Sequence, residues 1–170
     1  MRQPTLGLHF ILGQARSAAR RRLTLTLGLI NYYPGMLPFE FTIQGPPVSH
    51  QTRNRARLQQ WKNDVRAAAQ ARVVAGTAPC PDPVQIAITY YYEGDSPDVD
   101  NIIKPIQDAL NGVVFVDDAQ LAETKSRKRP LNGSYQIKGA SGVLLQGFAA
   151  GIGFLHIRVE GNTHNGVLDS

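Results

Sequence analysis

Residues 98–118 carry five of the chain's thirteen carboxylates and one lysine, Lys104, while the positions between them are mostly apolar. A solvated loop has no use for the isoleucines and valines, and a core cannot take five unpaired acids. A packed scaffold from which charged side chains converge on one pocket satisfies both demands.

Asp98 and Asp100 stand two apart, which in an extended segment puts both on the same side. From there the spacing turns helical. Ile102, Ile103, Ile106, Ala109 and Leu110 recur every three or four residues as one apolar stripe. Asp100 is placed to cap that helix, and Pro105 disfavours helical geometry at Lys104, so the helix either kinks or begins at Pro105. Lys104 and Asp108, four apart, share a face if the helix is continuous. Asn111 and Gly112 end it, since both tolerate the left-handed conformation. Residues 113–116 then read as a short apolar strand that delivers Asp117 and Asp118.

Hard divalent cations such as Mg²⁺ take oxygen ligands, usually one or two carboxylates with waters and substrate phosphates. A carboxylate cluster can hold one such ion, or two roughly 3.5–4 Å apart, against the attacking and leaving oxygens of a phosphodiester. Lys104 adds a fixed positive charge for the negative charge that builds in the transition state. Plainer accounts compete. Asp100 as a cap explains that residue but not Asp98, and Asp117 with Asp118 could form a turn. A Ca²⁺ loop fits poorly, because its glycine and its closing glutamate are both missing. Spacing alone leaves the metal site and the cap-and-turn account level.

The order Asp98-x-Asp100-Asn101-x-x-Lys104-Pro-x-x-Asp108-Ala-Leu-Asn-Gly, followed by Asp117-Asp118-x-Gln120, resembles the signature of the RusA family. With its flanks the resemblance spans about residues 37–160. It implies a bacterial or prophage-encoded Holliday-junction resolvase, an endodeoxyribonuclease that depends on Mg²⁺ (Mn²⁺ as the alternative) and acts as a homodimer. Carried over residue by residue, it implies metal binding by Asp98, Asp100 and Asp118, with Asp117 as a further ligand. It implies a catalytic role for Lys104, with Asn101 and Asp108 in support, Asp108 orienting Lys104.

Charge is segregated along the chain. Residues 1–35 hold five arginines and no acid, whereas residues 36–170 hold thirteen basic and thirteen acidic residues and are neutral. Basic residues gather at 53–72 and 125–129 and acids at 93–118, the distribution that a metal site flanked by phosphate contacts requires. Cys80 is the only cysteine, which excludes an internal disulfide and fits the cytoplasm. No apolar run approaches the roughly twenty residues of a membrane helix. The four histidines are scattered, so neither a zinc site nor a Ser-His-Asp triad is supported.

Residues 1–35 read as a basic, disordered N-terminal extension, residues 36–160 as the folded domain and residues 161–170 as a frayed tail. Residues 38–44 alternate as a first strand with Phe39, Phe41 and Ile43 on one face. The following basic loop offers Arg53, Arg55 and Arg57 to DNA phosphates, the alternative being a solvated surface loop. Residues 58–75 form a helix by composition, with Leu58, Trp61, Val65 and Ala69 inward and Lys62, Arg66 and Arg72 outward. Residues 84–92 are the best strand in the chain, burying Val84, Ile86, Ile88, Tyr90 and Tyr92. Residues 120–129 make another, whose Lys125, Arg127, Lys128 and Arg129 suit phosphates or a charged sheet edge equally well. A short helix over 141–150, with Leu144, Leu145 and Phe148 inward, precedes a final strand at 154–159.

The expected architecture is α+β: a compact single domain in which a mixed β-sheet carries two main helices in β-α-β-α-β-β order, with one further short helix before the last strand. The expected function is Mg²⁺-dependent, structure-selective cleavage of four-way junction DNA by a homodimer with one site per subunit. The alternatives are a nuclease of the same fold acting on other branched or single-stranded DNA, and a DNA-binding protein that does not cut.

Overall fold

Period-two alternation divides a strand into a face for the core and a face for something else. In this chain both faces of the sheet are used. The structure, a computed structural model, describes residues 36–94, 96–135 and 139–162. Along them run β1 (Phe39–Gln44), α1 (Arg55–Gln70), β2 (Val84–Tyr92), a 3₁₀ turn (Asp100–Ile102) leading into α2 (Ile103–Leu110), a second 3₁₀ turn (Asp118–Gln120), β3 (Leu121–Pro130), α3 (Gly142–Ala149) and β4 (Phe154–Gly161). The strands form one sheet in the order β1-β4-β2-β3. β4 is antiparallel to both β1 and β2, whereas β2 and β3 are parallel, with Ile88 opposite Ser126. Parallel neighbours need a crossover, and α2 supplies it. This is the mixed-sheet α+β architecture that the sequence pattern predicts. The extension at 1–35 and most of the tail lie outside the described residues.

One face of the sheet is the main core. Phe39 and Phe41 of β1, Val84, Ile86, Ile88 and Tyr90 of β2, and Leu155, Ile157 and Val159 of β4 are buried there. α1 packs on them through Leu58, Trp61, Val65 and Ala69, and α2 through Ile106, Ala109 and Leu110. Trp61 is therefore core. The reverse face is covered at one end by α3, where Leu144 and Phe148 meet Tyr91 and Phe154. The Tyr91 and Phe154 rings stack with centroids 4.8 Å apart. Elsewhere that face carries Glu40, Lys125, His156, Arg158 and Glu160, polar side chains that alternate with the buried ones.

Several boundaries differ from the periodicity, each for a local reason. α1 begins at Arg55 rather than at 58, because the Asn54 side chain accepts a hydrogen bond from Arg57 N at 2.9 Å and recruits one more turn. It stops at Gln70 instead of 75. The β-branched pair Val73 and Val74 follows, and Gly76 turns the chain at φ +83°. Residues 113–116 are not a strand. Val113, Val114 and Phe115 are all buried, without alternation, in a bend where Gly112 (φ +72°) donates to Phe115 O. Only isolated bridges from Phe115 to Cys80 and Asn111 remain. In α3, Leu144 is buried but Leu145 is 56% exposed, because Gly147 and not Leu145 lies against the Phe154 ring.

Candidate active site

The site begins with a missing hydrogen. Pro105 has no N–H to give to the carbonyl four residues back, and its ring pushes that carbonyl outward. The carbonyl belongs to Asn101, and His50 N donates to it instead at 2.8 Å. The basic loop before α1 is thereby docked on the 3₁₀ turn that carries Asp100. On the other side β3 holds the same segment. Ser126 Oγ donates to Val99 O at 3.3 Å and Lys128 Nζ to Pro97 O at 2.9 Å. Asp98 and Asp100, both exposed, sit on a stretch gripped from two sides by its backbone.

Two expectations for this stretch fail on its geometry. Val99 is helical (φ −63°, ψ −32°), so Asp98 and Asp100 do not share the side of an extended segment. Nor does Asp100 cap the helix. It is the first residue of the 3₁₀ turn, and its Oδ1 accepts from the adjacent Asn101 N, at 3.0 Å.

Along α2 the charges connect. Lys104 Nζ lies 3.0 Å from Asp108 Oδ1 and 2.6 Å from Asp118 Oδ2. The other oxygen of Asp108, Oδ2, takes Lys62 Nζ of α1 at 2.6 Å. One turn further along α1, Arg66 donates to the carbonyls of Asn111 at 3.1 Å and Asp108 at 3.4 Å, where α2 ends with free acceptors. Hydrogen bonds to Asp118 and then Asp108 raise the Lys104 ammonium pKa above its ordinary value. Lys104 in turn holds the Asp118 carboxyl below the usual carboxylate range. Burial pushes the Asp108 carboxyl up, but the hydrogen bonds from Lys62 and Lys104 outweigh it and leave the group low.

Asp118 reaches Lys104 because the bend at 113–116 is tied down. Cys80 N donates to Val114 O, and Val116 N to Cys80 O. Gln120 completes the anchor: its Nε2 donates to the carbonyls of Cys80 (2.9 Å) and Asp82 (2.7 Å), and its Oε1 accepts from Asp117 N (2.8 Å). Asp117 Oδ1 accepts from Ala119 N at 2.9 Å and caps the turn. Adjacent aspartates thus differ in use, one shaping the turn and the other facing the lysine.

The donor chemistry suits a hard cation, since Asp98, Asp100 and Asp118 offer only carboxylate oxygens and all three are at least partly exposed. Among the described residues, however, no three acids or histidines stand together as a metal-binding group. Val99, between Asp98 and Asp100, is helical, and Asp118 is engaged by Lys104.

Residues 41–134, more than half of the chain, match the family model described as endodeoxyribonuclease RusA. The chain belongs to the RusA endodeoxyribonuclease family. It is an enzyme that cuts within DNA. No curated protein matches it.

A RusA endodeoxyribonuclease must bring DNA phosphates to its site, and the basic residues fall into two groups around that requirement. Arg53, Arg55 and Arg57 are exposed on the loop and first turn of α1, and His50 of that loop is bonded to the turn that carries Asp100. Arg57 borders an open groove of about 350 Å³ with Ser49, Thr52, Ser96 and Pro97. The 125–129 cluster is split by strand alternation. Lys128 reaches Pro97 on the site's side, as Ser126 reaches Val99, whereas Lys125, at an odd position of β3, lines a separate small cavity with Glu123, Arg158 and Glu160. Arg127 and Arg129 share the odd parity of Lys125.

Three residues of the site do not follow from motif reading. Lys62 and Arg66 are not outward-facing: both are half-buried and turned to α2. A signal exists, because they lie four and eight residues after Leu58, at the border of the apolar stripe. Gln120 stands in the motif, but its role as a tie to Cys80 and Asp82 depends on a contact forty residues away in sequence.

Proposed function

We propose that this RusA endodeoxyribonuclease is structure-selective, cleaving four-way (Holliday) junctions with Mg²⁺ as a homodimer. The observation that carries the reading is Lys104, held between Asp108 and Asp118 one turn beyond the exposed Asp98 and Asp100. A protein that only bound DNA would gain nothing from exposed acids that repel phosphate. Asp98, Asp100 and Asp118 would hold the ion, and Asp117, occupied as a cap, serves the turn first. When bound, the ion supplies Lewis-acid polarisation of the scissile phosphate and an acidified water.

The chain's own residues do the rest. Arg53, Arg55 and Arg57 meet the backbone phosphates beside the acids, and Lys104 places a positive charge where negative charge develops. A four-way junction needs two symmetric cuts, which a two-fold dimer with one site per subunit provides. The test is cleavage of an end-labelled mobile four-way junction beside linear duplex and a single-stranded flap, with and without Mg²⁺. Paired nicks confined to the junction are expected, and only with the ion. Faster cutting of the flap than of the junction would overturn junction selectivity. An Asp100→Asn variant should bind the junction normally and not cut it.

A further inference from the structure

The geometry points to Lys62 as a positioning residue for Lys104, acting through Asp108 from a different helix. The inference rests on the catalytic reading of Lys104. Lys62 Nζ and Lys104 Nζ take the two oxygens of one carboxylate, at 2.6 and 3.0 Å. With both oxygens engaged, the Asp108 side chain has one orientation, and Lys104, four residues before it on α2, is aimed by it.

Charge gives a second reason. Between Asp108 and Asp118 alone, Lys104 would be one ammonium facing two carboxylates, fully neutralised and held. Lys62 matches Asp108 with a cation of its own. Lys104 therefore keeps charge to offer a phosphate.

A purely structural clamp is the competing explanation. The Lys62 and Asp108 side chains are 25% and 28% exposed, and pairs with such access to water contribute little to stability. α1 and α2 are already joined through the core and through Arg66, which holds the end of α2. The loss of Lys62 should thus be felt at Lys104 rather than in the fold.

The experiment is a double-mutant cycle on the full chain, with Lys62→Met, Lys104→Ala and the pair, plus Lys62→Arg as the conservative variant. Single-turnover cleavage of a labelled four-way junction is read in Mg²⁺ at saturating enzyme, and affinity is read in Ca²⁺. Lys62→Met should lower the saturated rate roughly ten-fold at unchanged affinity, within the coupling expected of residues in contact. Lys62→Arg should restore most of it, and Lys62→Met should cost nothing more once Lys104 is alanine. A wild-type rate for Lys62→Met overturns the proposal, as does the same fold-loss in both backgrounds. If instead Lys104→Ala itself cuts normally, the catalytic reading of Lys104 fails, and the positioning role falls with it. Circular dichroism melts accompany each variant, and Lys62→Gln replaces any Lys62→Met protein that does not fold.

Discussion

Lys104 Nζ lies 2.6 Å from Oδ2 of Asp118, fourteen residues further along the chain. The contact joins the helix that crosses from β2 to β3 with the turn that opens β3. Each partner deepens the other's charged state, Lys104 staying protonated and Asp118 ionised. Removing either should therefore damage catalysis in a different way. Lys104→Ala is expected to lower the saturated single-turnover rate by about 10²–10³ with affinity unchanged, the usual worth of one transition-state donor. Asp118→Asn should abolish cutting while leaving junction binding intact. If Lys104→Ala loses affinity at a normal saturated rate, Lys104 is a phosphate contact and nothing more.

Asp108 makes a prediction about acid. Its carboxyl is held below the ordinary range, so its contribution to stability is present above its unfolded value near pH 4 and is lost as pH falls through the lower folded value. Asp108→Asn should cost up to about 1 kcal/mol at pH 7, the upper end for ion pairs open to water. The gap should begin to narrow below about pH 4 and close only once the folded carboxyl, held lower, is itself protonated. Urea midpoints at pH 7, 5 and 3 measure it. A gap that stays constant over that range would mean that the ion pairs contribute nothing.

Much of the scaffold is legible in the sequence because period-two alternation in β1 and β2 and the stripe of α1 report directly which face is buried. The motif placed Lys104 and Asp118 together only by resemblance, since nothing local says that residues 113–116 fold back on Cys80. Those four residues look like a strand because Val and Phe suit one. They become a bend, in which among the described residues Phe115 bridges to Cys80 and Asn111 and Gly112 supplies the positive φ. The division of the 125–129 cluster was legible in principle, because alternation alone separates Lys128 from Lys125. The stripe border also pointed Lys62 inward, but not to Asp108. Its partner lies forty-six residues away, and only the packing of α1 on α2 brings them together.

Pro105 tests how the basic loop is attached. An alanine there would restore an N–H able to reach Asn101 O, in competition with His50 N. Pro105→Ala should keep or raise helix content yet loosen the loop that carries Arg53. Faster limited proteolysis within 46–54 and weaker junction binding are expected, with the melting temperature nearly unchanged. Unaltered proteolysis would show that the loop is held by other contacts.

Gly147 sits where α3 meets the sheet, and a Cβ built there would lie 2.4 Å from the Phe154 ring. Alanine gains up to about 1 kcal/mol of helix propensity over glycine, but overpacking typically costs about 1–3 kcal/mol. Because Phe154 is fully buried and stacked on Tyr91, it has little room to yield. The clash should win. Gly147→Ala is expected to be less stable in chemical denaturation by roughly 1–2 kcal/mol, with cleavage at the distant site preserved under folding conditions.

The last prediction separates two basic residues that composition treats alike. Arg57 is exposed beside the groove with Ser96 and Pro97, and among the described residues no acid pairs with it. Lys128 is half-buried, and its ammonium donates to Pro97 O, next to Asp98. A free exposed cation acts on DNA through counterion release, so Arg57→Ala should weaken binding across sequences and reduce the slope of log affinity against log salt by about one. Its saturated rate should stay near wild type. Lys128→Met removes a support of the acid-bearing segment. It should lower the saturated rate several-fold, the scale expected when a group that positions reacting residues is lost, with a smaller change in salt slope than Arg57→Ala. Binding titrations at four salt concentrations in Ca²⁺, paired with single-turnover cleavage in Mg²⁺, read both quantities for each variant. If the two substitutions give the same slope change and the same rate, Lys128 is one more phosphate contact, and the grip of β3 on the acid segment has no part in catalysis.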